Sequence, residues 1–297
     1  MTILVTGGSG QLAQALAEAA GARPVRVVGR PDFDFDRITG LPAVLAAAKP
    51  ALVINAAAYT AVDRAESDAA AAWRANRDGP AVLAAYCAAA GIPLIHVSTD
   101  FVFDGSKGAP YTENDAPNPT SVYGASKLAG EQAVLAACPQ AVVLRTSWVY
   151  AARGRNFVLT MLNLASTRDR LRVVADQRGC PTAAADLAEA ILGIADAIAR
   201  EGWQDRFGGI FHAAGGGETT WHGLASAAIT RAGAHGQKQP EAIEAITSAE
   251  FPTPVKRPAD SRLDCSRLEQ VFGLRLPQWE AALDRTLARI FASASTR

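Results

Sequence analysis

A tyrosine and a lysine, Tyr123 and Lys127, stand four positions apart in the stretch SVYGASKLAG at residues 121–130. Residues at i and i+4 share one face of a helix, so the two side chains can act together. A ketone that accepts a hydride becomes an alkoxide, which needs a proton from a positioned acid. Free tyrosine has a pKa of about 10, and a neighbouring ammonium lowers it. Tyr123 is therefore a candidate acid, and Lys127 is a candidate for the group that adjusts its pKa. An isolated pair of this kind fits an exposed helix contact equally well.

The polar residues Ser98, Thr99 and Asp100 end a predicted strand in the stretch HVSTD at residues 96–100. Ligands of open α/β sheets bind beyond the carboxyl ends of the strands, which is where these side chains should lie. Thr99 could donate a hydrogen bond to the same carbonyl oxygen and stabilise the charge that develops there. Polar residues at a strand end can also simply cap the next turn.

A glycine-rich turn, TGGSGQLA at residues 6–13, follows the first predicted strand and opens the first predicted helix. Two frames fit a dinucleotide-binding turn: Gly8, Gly10 and Ala13, or Gly7, Gly10 and Ala13. In either frame the glycines allow a tight turn and a close approach of the backbone to a pyrophosphate at the helix N-terminus. The strand–turn–helix context favours dinucleotide binding over a purely structural turn.

The second predicted strand, VRVV, runs into Gly29 and Arg30. A sheet that binds NAD usually carries an acidic residue here, for the adenosine ribose. The guanidinium fork of Arg30 instead suits a 2′-phosphate, although a loop arginine in solvent is the plainer interpretation. Asp32, Asp34 and Asp36 follow closely, so NADH also fits. We expect NADPH as the cofactor, with NADH possible.

Short apolar runs alternate with alanine-rich helical stretches through the first half of the chain. The predicted strands are Ile3–Thr6, Val25–Val28, Leu52–Asn55, Leu94–Ser98 and Ala141–Thr146, and the predicted helices lie near 11–20, 41–48, 67–90 and 122–137. Continuous apolar strands are typical of a parallel sheet buried on both faces. This alternation predicts an α/β fold with a Rossmann-type, doubly wound parallel sheet.

The rhythm changes after about residue 150. Predicted helices near 155–166, 183–199, 220–232 and 277–291 are separated by longer connections rich in Gly and Pro. The run FPTPVKRP at 251–258 is not helical through its middle, because proline breaks helices. We expect a dinucleotide-binding domain at 1–150 and a smaller, mixed α/β substrate-binding region at 151–297, with some later segments returning to the main sheet.

Composition narrows the functional class. The chain has 297 residues, no formal net charge and scattered basic residues, which argues against a nucleic-acid partner. Its four widely spaced cysteines lack metal-ligand spacing, so we expect reduced thiols, no metal and a cytoplasmic protein. The N-terminus shows no signal-peptide pattern, and the longest apolar run, Ala81–Ile95, is broken by Gly91 and Pro93. We expect no membrane segment.

Five motifs together resemble the extended short-chain dehydrogenase/reductases, and within them the dTDP-4-dehydrorhamnose reductases. They are TGGSGQLA, NAAAYTAVDRAE, HVSTDFVFDG, YGASKLAGE and RTSWVYA, and NFVLTMLNLA, DQRGCPT, TTWHG, FPTPVKRP and SRLD continue the resemblance over nearly the whole chain. Members of that family reduce the 4-keto group of dTDP-4-dehydro-β-L-rhamnose to dTDP-L-rhamnose, the last step of its biosynthesis. The resemblance implies the same small nucleotide-sugar substrate here.

The resemblance also implies a role for each matching position. Thr99, Tyr123 and Lys127 take the catalytic roles, and Lys127 also holds the nicotinamide ribose. The cofactor is expected at Gly7, Gly10, Gln11, Leu12, Asp34, Phe35, Ala56, Ala57 and Tyr59, besides Tyr123 and Lys127. Arg30 and Ser98 are added to this set because of their places at strand ends. The sugar nucleotide is expected at Thr60, Val62, Asp100, Trp148 and Arg257, besides Thr99 and Tyr123.

Two of these positions are ambiguous from the residues alone. Trp148 could cover a sugar face or pack in the core, and only the resemblance favours substrate. Arg257 could pair with a nucleotide diphosphate or lie at the surface. The small residues Gly124, Ala125 and Ser126 are expected to leave room for a nicotinamide ring beside Tyr123.

One departure from the family concerns assembly. Some members dimerise around a magnesium ion held by acidic side chains, one of them early in the first helix. Ala15 stands at that position here and offers no oxygen ligand. We therefore expect a monomer or a weak homodimer without a linking metal.

Two other functions remain open. A related dehydratase or epimerase returns the hydride to the same substrate, and dehydratases carry an acid after the Thr-Asp pair. Phe101 stands there and cannot transfer a proton, which favours reduction. A non-catalytic branch of the fold is a regulatory subunit of methionine adenosyltransferase, which binds a dinucleotide and a partner protein. The Thr99, Tyr123 and Lys127 set argues against that role.

Overall fold

A six-stranded parallel sheet forms the centre of the protein in the computed structural model, which describes residues 1–294. The strands are β1 (Ile3–Thr6), β2 (Val25–Val28), β3 (Leu52–Asn55), β4 (Leu94–Thr99), β5 (Ala141–Thr146), β6 (Val149–Tyr150), β7 (Arg170–Val174), β8 (Arg178–Gly179), β9 (Thr182–Ala183), β10 (Gly209–His212), β11 (Thr219–Thr220) and β12 (Ala242–Ile246). The central sheet has the order β10-β5-β4-β3-β1-β2. All five strands predicted from the sequence belong to it.

Helices cover both faces of the sheet. They are α1 (Gln11–Glu18), α2 (Leu41–Ala48), α3 (Val62–Ala65), α4 (Ala69–Trp73), α5 (Gly79–Ala90), α6 (Val122–Ala137), α7 (Phe157–Thr167), α8 (Ala184–Glu201), α9 (Trp221–Gly233), α10 (Ser266–Phe272) and α11 (Trp279–Ala294). Ile3 and Val5 of β1 pack in one core with α1 and α8, whereas Leu4 packs in another with α2 and α5. This alternation explains the continuous apolar strands, because both faces of the sheet are buried.

The strand order reverses at β1. The chain goes from β1 outward to β2, then crosses back to β3 on the other side of β1 and continues to β4 and β5. The prediction of a Rossmann-type doubly wound sheet is therefore confirmed. Such a reversal opens a crevice at the carboxyl ends of the strands, where this class of fold binds its ligands.

Part of the second half returns to the central sheet. β10 pairs in parallel with β5, and α8 packs against α1. A smaller mixed region is built from α7, α9 and α11 around their own apolar core, with β7 and β12 paired in parallel. The domain boundary at residue 150 stays a prediction. The return of β10 and α8 to the main sheet agrees with the expectation that some later segments do so.

The predicted helix at 67–90 is divided. α4 ends at Trp73, a π-helical turn follows at Arg74–Asp78, and α5 begins at Gly79. Pro80 has no N–H group and so cannot bond the carbonyl four residues earlier, at Asn76. Periodicity alone does not reveal such an interruption, because the apolar spacing continues through it.

Three general expectations concern what the chain lacks. Among residues 1–294 no helix is long and apolar enough to cross a membrane. The same residues contain no group of three or more His, Cys, Asp or Glu side chains arranged to hold a metal ion. The four cysteines are free thiols. That the protein needs no metal stays a prediction.

Candidate active site

A cavity of about 800 Å³ opens along the carboxyl ends of the central strands, where a doubly wound sheet binds ligands. Every residue predicted for the site lines it: Gly7, Gly10, Gln11, Leu12, Arg30, Asp34, Phe35, Ala56, Ala57, Tyr59, Thr60, Val62, Ser98, Thr99, Asp100, Tyr123, Lys127, Trp148 and Arg257. The volume is in the range of small-molecule sites. The structure thus brings these residues together, while the role of each stays a prediction.

The glycine turn after β1 needs its glycines. Gly7 has a φ of 113° and Gly8 a φ of 53°, in the region that side chains rarely adopt. A Cβ atom on Gly7 would lie 3.0 Å from the carbonyl oxygen of Ala56, at the end of β3. Gly10 precedes α1, and its N–H donates to the carbonyl oxygen of Gly7 at 2.9 Å. The backbone is therefore open to a close ligand.

The N-terminus of α1 points into this part of the cavity. No side chain within residues 1–294 caps it, since Gly10 is the N-cap residue. The first N–H groups of a helix lack intrahelical partners and favour an anion. Ala13, the small residue of the motif, is buried and lets α1 lie close to the sheet. These residues fit a dinucleotide pyrophosphate.

Ion pairs occupy the loop after β2. Arg30 bonds the carboxylate of Asp34 at 2.9 Å and that of Asp36 at 2.7 Å. Arg74 also reaches Asp36, at 3.1 Å. The Arg30 side chain is 69% exposed, so it can turn toward a ligand at little cost. Arg30 and Asp34 line the cavity, so a cation and a carboxylate are both available there and both cofactor choices stay open.

Tyr123 and Lys127 lie on one face of α6, which begins where the side chain of Ser121 accepts a hydrogen bond from the Gly124 N–H at 3.1 Å. Both are buried, with Tyr123 8% and Lys127 2% exposed, yet both line the cavity. The Lys127 ammonium donates to the carbonyl oxygen of Val97 at 2.7 Å. The pair is therefore not an exposed helix contact.

The pKa of Tyr123 differs from the sequence-based expectation. Burial raises it to about 12, hydrogen bonding with Thr99 opposes this rise, and the charge of Asp100 raises it further. Burial also lowers the pKa of Lys127 to about 8, against the attraction of Glu131. The expected fall of the Tyr123 pKa is therefore not found, because the loss of water around the buried phenol raises it.

Two of the small residues between Tyr123 and Lys127 have visible packing roles. Gly124 lets α6 approach the backbone of Phe101, where a side chain would collide with the carbonyl oxygen. The Ser126 hydroxyl donates to the carbonyl oxygen of Tyr123 at 2.8 Å. Gly124 and Ser126 therefore have a packing role within α6 and against its neighbour, and the room for a nicotinamide ring beside Tyr123 stays a prediction.

Thr99 and Asp100 form the corner where β4 ends. The Thr99 hydroxyl donates to Asp100 Oδ1 at 3.1 Å and accepts from the Phe101 N–H at 3.2 Å. Asp100 is 2% exposed, and its Oδ2 has no hydrogen-bond partner among the described residues. Burial raises the pKa of Asp100 to about 6, opposed by hydrogen bonds from Ser261 and Thr99. A buried carboxylate with a spare acceptor suits a polar ligand group.

Ser98 faces away from Thr99 in the alternation of β4. Its hydroxyl donates to the carboxylate of Glu131 on α6, and the residue is 3% exposed. Its side chain is thus already engaged, so any contact with a cofactor falls to its backbone or to the edge of the cavity.

Trp148 and Arg257 lie at the far end of the cavity. Trp148 follows β5 and stacks on Trp221, at the start of α9. Arg257 pairs with Asp63 on α3 at 2.9 Å, which links the irregular segment 251–258 to the first half of the chain. Trp148 is thus part of an aromatic stack that lines the cavity, and Arg257 is an ion-paired residue that lines it.

Sequence reasoning missed several residues of the site. Trp221 and Arg155 also line the cavity. The Asn76 side chain accepts from the Tyr59 N–H at 2.8 Å and donates to Ser126 at 3.0 Å, which joins the loop after β3 to α6. Trp221 lies in the TTWHG motif, whose tryptophan was a usable signal. The position of Asn76 depends on the π-helical turn, and no sequence pattern predicted that turn.

Comparison with known proteins agrees with this geometry. The sequence model of the family described as "RmlD substrate binding domain" matches residues 1–291. A dTDP-4-dehydrorhamnose reductase of Sinorhizobium fredii is 46% identical over 288 residues, covering 96% of each chain. The Escherichia coli protein of the same name is 36% identical over 301 residues, covering 99% of this chain and 100% of the other.

Solved structures give the same picture. A dTDP-4-dehydrorhamnose reductase from Clostridium acetobutylicum superposes with a TM-score of 0.89 at 36% identity, covering 98% of this chain and 99% of the other. One from Bacillus anthracis, in complex with NADP, superposes with a TM-score of 0.88 at 31% identity, covering 97% and 99%.

Proposed function

The chain belongs to the RmlD substrate binding domain family, and on that premise we propose that it is an NADPH-dependent oxidoreductase that reduces dTDP-4-dehydro-β-L-rhamnose. A hydride and a proton add across the 4-keto group, and the product is dTDP-L-rhamnose. Within the structure, the observation that carries this proposal is the meeting of Thr99, Tyr123 and Lys127 in the cavity that also contains the glycine turn.

The glycine turn would hold the pyrophosphate of the cofactor. Its open backbone at Gly7 and the uncapped N-terminus of α1 supply N–H donors there. A related reductase was crystallised with NADP, which supports the choice of phosphorylated cofactor. The reduced nicotinamide supplies the hydride when bound. Arg30 is the candidate for the 2′-phosphate, exchanging its bonds to Asp34 and Asp36 for bonds to phosphate.

Tyr123 donates the proton in this proposal. Burial raises its pKa to about 12, so the phenol stays protonated before the reaction and can give its proton to the oxygen of the reduced carbon. The Thr99 hydroxyl, now bonded to Asp100, would donate to the same oxygen as charge develops. Lys127 would hold the nicotinamide ribose, and its ammonium would stabilise the phenolate left on Tyr123.

The sugar nucleotide would occupy the far end of the cavity. Trp148 offers an aromatic face to the sugar ring, and the unpartnered Oδ2 of Asp100 can accept a hydrogen bond from a sugar hydroxyl. Thr60 and Val62, in the loop after β3, line the same part. Arg257 can bond the diphosphate in place of Asp63.

Phe101 supports reduction over dehydration. Its ring lies edge-to-face with Tyr123, with centroids 5.6 Å apart, where a dehydratase would carry an acid. An apolar ring there leaves Tyr123 as the proton donor at this corner. Dinucleotide binding is common to a reductase and to a non-catalytic regulatory subunit. Only a measurement of turnover therefore distinguishes the two functions.

We also propose a cytoplasmic monomer or weak homodimer with no nucleic-acid or membrane partner. The absence of net charge supports this, as does Ala15 at the position where a linking metal would need an oxygen ligand.

The function is tested by supplying a panel of nucleotide-4-keto-sugars with NADPH or NADH and following cofactor oxidation. We expect one NADPH consumed for each dTDP-L-rhamnose formed, identified by chromatography and mass spectrometry. An epimerase or dehydratase would convert the sugar without net NADPH loss, and a regulatory subunit would leave both unchanged. Either result with saturating substrate contradicts the proposal.

A further inference from the structure

A buried ion pair lies behind the candidate catalytic residues. The side chains of Glu131 on α6 and Arg145 on β5 are each 1% exposed. Arg145 donates from Nη2 to Glu131 Oε2 at 2.7 Å and from Nε to Oε1 at 3.0 Å. This two-point geometry fixes the carboxylate in one orientation.

The Glu131 carboxylate joins three elements. It belongs to α6, one helical turn beyond Lys127, and it accepts the hydroxyl hydrogen of Ser98 on β4 as well as the bonds from β5. Ser98 immediately precedes Thr99, and Arg145 stands three residues before Trp148. One side chain thus connects the elements that carry the proposed acid, the lysine, the threonine and the sugar-facing indole.

Stability is a weak reason for this arrangement. Burying two charges costs much of what their attraction returns, and apolar replacements of a whole buried pair are often as stable. Arg145 Nη1 is buried without a hydrogen-bond partner among residues 1–294, so the pair is not fully satisfied either. The position of Glu131 beside Lys127 points to another role.

We propose that Glu131 is a positioning residue for the reduction: its charge keeps the Lys127 ammonium protonated, and through Ser98 it anchors the end of β4, next to the Val97 carbonyl that Lys127 bonds. The inference rests on the proposed function, in which a charged Lys127 supports cofactor and acid. Arg145 limits the effect, since it neutralises part of the Glu131 charge.

The other charged and titratable groups around Lys127 do not replace Glu131. From β4, His96 is buried and has its pKa lowered by burial and by Lys127 itself, so it is neutral. Tyr123 is protonated, as its raised pKa implies. Asp100 follows β4 and affects Tyr123, whereas Glu131 is the group that raises the pKa of Lys127 against burial.

Removing Glu131 and removing Arg145 should therefore shift the pKa of Lys127 in opposite directions. Burial lowers the pKa of Lys127 to about 8, and the negative charge of Glu131 opposes this. Glu131→Gln should lower that pKa further, by about one unit or more, because the unpaired Arg145 remains. Arg145→Met should raise it, because Glu131 is no longer neutralised. Since the charged form is the active one, the alkaline loss of activity should move in the same directions.

The direct test is a pH titration by NMR of the full-length protein labelled with 13C at the lysine Cε. The chain has five lysines, Lys49, Lys107, Lys127, Lys238 and Lys256, so the spectrum is simple. Lys127→Arg assigns the signal. Wild type, Glu131→Gln, Arg145→Met and the double variant are compared, and Ile191→Ala, a core change in α8 on the opposite face of the sheet, controls for lost stability. This experiment needs no substrate, so its failure is distinct from failure of the proposed function.

We expect the Lys127 pKa to be lowest in Glu131→Gln, next in the double variant, then in wild type and Ile191→Ala, and highest in Arg145→Met. The double variant lies below wild type because Arg145 neutralises only part of the Glu131 charge. The pH profile of kcat should follow, and Glu131→Asp, which keeps the charge, should restore the wild-type alkaline limb with a lower kcat. If a single variant does not fold, the double variant decides: a wild-type Lys127 pKa and kcat would overturn the proposal. Equal or absent shifts in the two single variants would also show a purely structural pair.

Discussion

The indole rings of Trp148 and Trp221 are stacked with their centroids 3.5 Å apart and their planes 6° apart. Trp148 has a φ of 47°, which is rare for a large side chain and is often found at functional sites. Gly179 makes room for its ring, and Trp221 is fixed by a hydrogen bond from its Nε1 to Gln177 at 3.1 Å. The stack holds Trp148 at the cavity.

Trp221→Ala should weaken substrate binding. Without the second indole, Trp148 loses its support, and an aromatic pair contributes about 1 kcal/mol beyond its buried area. We expect the KM for the sugar nucleotide to rise about fivefold while the Kd for NADPH stays unchanged. Steady-state kinetics and fluorescence titration measure these. Trp203→Ala, a change at a tryptophan that packs on Phe207 outside the cavity, should leave both constants unaltered.

Arg30→Ala should reduce the preference for NADPH. If Arg30 bonds the 2′-phosphate, its loss removes a charge-assisted contact of roughly 1.5–3 kcal/mol, so the KM for NADPH should rise at least tenfold. The KM for NADH should change little. Arg26→Ala, on β2, is the matched control because its side chain is exposed and outside the cavity. Equal losses with both cofactors would show that Arg30 does not read the phosphate.

Asp100→Asn should stabilise the protein near neutral pH. Burial raises the pKa of Asp100 to about 6, so the folded protein favours the protonated carboxyl. The stability that this proton provides is fully present below pH ~4 and is lost as the pH rises through 6. Two pKa units correspond to about 3 kcal/mol. The variant should therefore gain Tm at pH 7 and not at pH 4, with lower activity. Calorimetry checks this, and Asp169→Asn, which removes the exposed partner of Lys238, should give no gain.

Magnesium should not assemble the protein. Ala15 lies on α1 and its side chain supplies no oxygen, so a magnesium-linked dimer through this position is not expected. Light scattering with rising magnesium, and with chelator as the control, should show a constant mass. Tight magnesium-dependent dimerisation would refute this expectation.

Much of the fold could be read from local sequence. Strands such as Ile3–Thr6 and Leu52–Asn55 were located because short continuous apolar runs bounded by turn residues are typical of buried parallel strands. β10 was missed, since GIFH is short and follows a long helix. Its pairing with β5 depends on tertiary packing.

The site divides in the same way. The glycine turn and the spacing of Tyr123 and Lys127 are local features, so the sequence could place them. The stack of Trp148 on Trp221 joins distant segments and left no local pattern. The pKa of Tyr123 was expected to fall, because spacing reveals the neighbouring ammonium but not the loss of water around the phenol.

Tyr123→Phe tests the central claim most directly. The change removes one hydroxyl and leaves Lys127 and the glycine turn in place. Loss of a positioned acid costs about 10²–10⁴ in rate. Single-turnover reduction of dTDP-4-dehydro-β-L-rhamnose, with NADPH in excess over enzyme, is followed beside NADPH binding. Tyr86→Phe, on α5 and outside the cavity, is the control.

We predict that Tyr123→Phe reduces the sugar at least a hundredfold more slowly while binding NADPH as wild type does, and that Tyr86→Phe matches wild type in both. A Tyr123→Phe protein that retained most of the wild-type rate would show that another group supplies the proton.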